Sequence, residues 1–102
     1  MPRKLKTQRW DVAEHLRRPD EMAAYLEACF EIAGDDAAFI AKALGDIARA
    51  KGMTQVARDA GLSRESLYKA LSPDGNPELA TLLKVVAALG LQLRAVPAAS
   101  NP

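Results

Sequence analysis

Residues 53–71, MTQVARDAGLSRESLYKAL, decide how this chain folds, because they read as two short helices joined by a tight turn. Thr54 is placed to cap the first helix, its hydroxyl accepting from a first-turn amide that has no partner inside the helix. Val56, Ala57 and Ala60 follow at helical spacing, and Gly61 is the residue that can turn left-handed where a helix must stop abruptly. Ala57, four residues before Gly61, is small enough to let two helices approach. Leu62 plugs the turn, Ser63 caps the second helix, and Leu67, Ala70 and Leu71 turn inward.

What the second helix leaves outside is Arg64, Glu65, Tyr68 and Lys69, with Ser63 and Ser66 beside them. This is the side-chain chemistry of a helix that docks on DNA. Arginine can donate two hydrogen bonds to guanine, lysine and tyrosine reach phosphates or base edges, and the first amides of a helix can meet a phosphate directly. Glu65 repels phosphate, so on this reading it accepts from a cytosine amino group or orients Arg64 or Lys69. The plain alternative is a helical hairpin whose outer face is merely solvated.

A chain of 102 residues with 49% hydrophobic content fits one small domain with a real but limited core. The net charge of +1 is small for a nucleic-acid binder, but it is unevenly spread. Residues 1–10 carry Arg3, Lys4, Lys6 and Arg9 with no acid, whereas residues 11–36 hold eight acids against Arg17 and Arg18. Residues 37–72 return to a net +3, with Lys42, Arg49, Lys51, Arg58, Arg64 and Lys69 against three acids. One surface can therefore meet phosphates while another meets a basic protein, or the acids simply solvate a helix. No run approaches the roughly 20 apolar residues of a spanning helix and no signal-peptide core is present, which predicts a cytoplasmic protein. Cys29 is the only cysteine and lies on the apolar stripe of Met22, Leu26, Phe30 and Ala33, so it reads as core.

Working outward, Asp11 and Glu14 are spaced as a capping box, predicting a short helix from Val12 to about Leu16 that Pro19 breaks. A helix from about Asp20 to Ala33 closes at Gly34, with Asp35 or Asp36 available to cap the next. That one turns Ile40, Ala43, Leu44, Ile47 and Ala48 to one face and stops at Gly52. After SPDGNP, Asn76 is expected to cap and Pro77 to open a last helix through Leu79, Leu82, Leu83, Val86 and Leu89, ending at Gly90. LQLRAV then alternates, which predicts a short strand, and a lone strand needs a partner from the N-terminal KLKTQRW segment or from a second subunit. The resulting division is a basic arm at 1–10, a single helical domain at 11–96 and a flexible tail at 97–102.

The run KALGDIARAKGMTQVARDAGLSRESLYKALSPDGNPELATLLKVVAALGLQL, residues 42–93, resembles the addiction-module antidote proteins, HigA-like antitoxins with a helix-turn-helix of the Xre/Cro class. The likeness extends weakly upstream through WDVAEHL and AAYLEA. It implies a mainly α, five-to-six-helix lambda-repressor-like domain with a short C-terminal β-strand. It also implies an antitoxin that represses its own promoter and pairs with a small basic toxin of the RelE/HigB-like class. Carried onto this sequence, the pattern has Thr54 and Gln55 at the DNA backbone, and Ser63, Arg64, Tyr68 and Lys69 in the groove beside Glu65 and Ser66. The alternatives are a stand-alone Xre-type repressor and a helical module that binds only protein.

Two half-sites multiply the discrimination of a single recognition helix, so a homodimer on double-stranded operator DNA is expected. Its interface is assigned to Leu82, Val85, Val86, Leu89, Leu91 and Leu93, although the valines also fit an ordinary core. Catalysis is not expected. His15 is the only histidine and is far from Cys29 in sequence, no glycine-rich phosphate loop occurs, and Asp35 and Asp36 suit helix capping better than acid–base chemistry. No metal or cofactor is anticipated.

Overall fold

The computed structural model describes Leu16 and residues 18–98, and these hold five helices and no strand: α1 Pro19–Ala33, α2 Ala37–Lys51, α3 Met53–Ala60, α4 Arg64–Ala70 and α5 Leu79–Ala88. The basic arm at 1–10, the expected capping box of Asp11 and Glu14 with the short helix after it up to residue 15, Arg17 and residues 99–102 lie outside the described residues. Leu16 itself is not helical and is buried in the core.

Pro19 opens α1, where its missing N–H costs nothing and its fixed φ suits a helix start. The Glu21 carboxylate reaches back to accept from the Arg18 backbone N–H at 3.3 Å, and Asp20 and Glu21 place negative charge at the positive end of the helix. Met22, Leu26 and Cys29 form the buried stripe. Phe30, expected beside them, is 41% exposed instead. The inward stripe drifts from position 26 to 29 rather than to 30, which leaves the phenyl ring about 100° round the helix from Cys29.

Of the two candidate caps, Asp35 and Asp36, it is Asp36 that caps α2, accepting from the Phe39 backbone N–H at 3.1 Å. This helix is the hub: Ile40, Ala41, Ala43, Leu44, Gly45, Ile47 and Ala48 are all buried, because α1 packs against it on one side and α3 on another. Between α1 and α2 the Tyr25 hydroxyl donates to Asp46 at 2.9 Å. Lys42 also donates to that carboxylate at 3.5 Å and Arg49 pairs with it at 3.9 Å.

α5 packs on α3 with Val85, Val86 and Leu89 fully enclosed. Its start differs from expectation: Glu78, not Asn76, is the N-cap residue, and Pro77 lies in an irregular run ahead of the helix. The Gly75 N–H donates to the Ser72 carbonyl at 2.8 Å, so Asn76 and Pro77 are taken up in carrying the chain from that turn to α5. Lys51, at the end of α2, donates to the Ala88 carbonyl at 3.2 Å and ties the two helix ends together. Residues 91–98 run without helix or strand, and the KLKTQRW segment expected as one pairing partner lies outside the described residues.

Candidate nucleic-acid interface

Gly52 serves both as the last cap of α2 and as the first cap of α3, with φ 116° and ψ 109°. Its N–H donates to the Ala48 carbonyl at 2.8 Å and its carbonyl accepts from Val56 at 3.0 Å. The first helix of the pair therefore starts at Met53, and Thr54 is its second residue rather than its cap. Thr54 stays exposed.

The turn between the two helices matches the sequence reading. Gly61 sits at φ 73°, ψ 31°, its N–H donating to the Arg58 carbonyl at 3.1 Å, while Leu62 donates to the Ala57 carbonyl at 2.8 Å. These two bonds form the Schellman pattern that closes a helix on a left-handed glycine. Leu62 then packs on the core as the accompanying apolar contact. Ser63 caps α4, its hydroxyl oxygen accepting from the Ser66 backbone N–H at 3.0 Å, and its O–H donates to the Ser66 hydroxyl at 2.9 Å.

Leu67 anchors α4 in the core with no exposed surface, and Leu71 just beyond the helix end is also buried. With those inward, the residues expected to meet DNA are all exposed: Thr54 and Gln55 on α3, then Ser63, Arg64, Glu65, Ser66, Tyr68 and Lys69. Besides the Ser63–Ser66 pair, three of them are already engaged by neighbours one turn away. The Arg64 guanidinium donates to the Tyr68 hydroxyl at 3.2 Å and lies 5.4 Å from the ring centroid, so the pair forms one amphipathic unit. Gln55 donates to Asp59 at 2.8 Å, which spends one amide hydrogen and leaves the other available. Both pairings were visible as i,i+4 spacings, and reading each residue singly missed them.

Beyond α4 an open cleft of about 570 Å³ is lined by Ser66, Lys69, Asp74, Asn76, Glu78 and Thr81, among others. Lys69 is its only base against two carboxylates, so this cleft is no phosphate pocket. Among the described residues no group of three or more His, Cys, Asp and Glu side chains is placed to hold a metal ion. No helix among them is long and apolar enough to cross a membrane.

The residues assigned to an interface between subunits divide. Val85, Val86 and Leu89 are core residues of this chain, enclosed by its own helices, whereas Leu82 and Leu91 are half-buried and Leu93 is exposed. The apolar surface that α5 and the following segment do present is Leu79, Leu83, Leu93 and Val96.

No solved structure matches this chain. It is 54% identical over 85 residues to an uncharacterised protein of Haemophilus influenzae, covering 83% of this chain and 86% of that protein. A family model described as "probable addiction module antidote protein" matches residues 6–97. That match spans nearly the whole sequence, and the chain belongs to this family of addiction-module antidotes, which supports an antitoxin role.

Proposed function

We propose that this protein is the antitoxin of a type II toxin–antitoxin module that represses its own promoter as a homodimer and neutralises a RelE/HigB-like toxin by binding it. The α3–α4 pair acts as a lambda-repressor-like helix-turn-helix, with α4 in the major groove. The observation that carries this reading is the outer side of α4: Ser63, Arg64, Tyr68 and Lys69 exposed together on a helix anchored by Leu67 and opened by a serine cap. Arg64 reads a base, held in place by Tyr68, and Lys69 and Gln55 meet phosphates. The activity is binding in the cytoplasm, with no chemical step. Residues 91–96 take up strand pairing when a second subunit supplies an edge.

Gel-shift titration on the promoter upstream of this gene tests the assignment. Arg64→Ala is expected to lose about 1–3 kcal/mol of discrimination between operator and unrelated DNA. Lys69→Ala should weaken all sequences alike and lower the slope of affinity against salt by about one. An Arg64→Ala protein that still discriminates as wild type removes α4 from base reading.

A further inference from the structure

The outer face of α1 has no partner within the described fold. Opposite its buried stripe lie Ala24, Glu27 and Glu31, with Phe30 on one flank and Ala28 and Ile32 on the other, and all six are exposed. Ile32 is 73% exposed and Phe30 41%, which puts two large apolar side chains beside short alanines that let another backbone come close. The helix contains no Lys, Arg or His.

The acids on and around α1 differ in what they are already doing. Asp20 is held by Arg18 at 2.8 Å, Asp36 caps α2, and Asp46 on α2 receives Tyr25. Glu27, Glu31 and, in the turn after α1, Asp35 have no hydrogen-bond or ion-pair partner among the described residues. A helix face that is only solvated interleaves bases with its acids one turn apart and keeps phenylalanine and isoleucine inside. This face does neither, and its charge complements a cationic protein surface.

We propose that the outer face of α1 is where the toxin docks, and that the toxin is a small basic protein whose cationic surface meets Glu27 and Glu31 while an apolar contact covers Phe30 and Ile32. The inference rests on the antitoxin reading. Because α1 packs on α2 and α4 packs on α3, toxin and DNA engage different elements, and one antitoxin chain holds both at once.

The test uses the full chain and the protein encoded by the reading frame adjacent to its gene, with affinity measured by calorimetry. The double variant Glu27→Lys/Glu31→Lys and, separately, Ile32→Asp are each expected to bind that protein about tenfold or more weakly. Melting temperature and promoter binding stay as in wild type. Asp74→Lys/Glu78→Lys makes the same charge change beyond α4 and should leave toxin affinity unchanged. Wild-type affinity in the α1 variants, or equal weakening in the control, overturns the docking face while leaving the antitoxin reading in place. In that case another occupant, such as the chain's own basic residues 1–10, is left for the face. If the wild-type chain binds nothing from the adjacent frame, the antitoxin reading fails and takes this inference with it.

Discussion

At Gly61 the backbone stands at φ 73°, a region where a side chain is strained even though a Cβ there would meet nothing within 4 Å. Gly61→Ala should therefore destabilise the fold by about 1–2 kcal/mol through backbone conformation alone. Ser63→Ala removes the cap of α4 and should cost about 1 kcal/mol. Urea midpoints of the two variants check both figures, and a Gly61→Ala protein as stable as wild type contradicts the left-handed turn. Both residues were legible in the sequence because each has one physical job that few residue types perform. Thr54 was misread for the converse reason. Its hydroxyl makes it a better cap than glycine on side-chain chemistry, yet a backbone at φ 116° in position 52 decides where α3 starts, and backbone angle is not written in side-chain spacing.

Between elements, the contact that distinguishes α1–α2 from ordinary apolar packing is Tyr25 on Asp46. Burial first, and then the hydrogen bond to the Asp46 carboxylate, push the Tyr25 phenol far above its ordinary 10.0. Burial, followed by the same carboxylate's charge, also raises the Cys29 thiol above 9.0. The folded state thus holds these protons more tightly than the unfolded chain. Their contribution is complete at neutral pH and is lost as pH rises past about 9 to 10. The urea midpoint of wild type should fall between about pH 8 and pH 11, and fall less steeply in Tyr25→Phe, where only the thiol remains. Equal slopes in the two proteins would show that the phenol is not held. Sequence periodicity placed Cys29 inside but could not show this pair, since residues 21 positions apart meet only once the helices are packed. The same limit explains α5: Leu79 and Leu83 repeat at helical spacing as buried leucines do, but no described residue covers them.

For the molecule as a whole, the acidic surface of α1 and the basic outer side of α4 are carried by helices that pack on different partners. The segmental charge was readable from the sequence, whereas the division of Leu82–Leu93 between core and surface was not. Val85, Val86 and Leu89 are spent inside. For the proposed homodimer this leaves Leu79, Leu83, Leu93 and Val96 as the apolar surface on offer from α5 and the segment after it, with 47% of Leu83 open to solvent. Leu83→Asp is expected to shift sedimentation towards the monomer at micromolar concentration with little loss of melting temperature. Unchanged sedimentation places the two-fold contact elsewhere.

Gly52 gives this architecture an uneven tolerance of changes in length. One residue ends α2 and begins α3, so there is no spare backbone between the hub of the core and the helices proposed to meet DNA. Adding a residue there forces a new set of backbone angles at the joint and re-aims α3 and α4 together, whereas the seven-residue stretch 72–78 between α4 and α5 can absorb an insertion at its exposed positions. Related proteins that differ in length should carry the difference in that later stretch and keep the 52–63 interval at constant size.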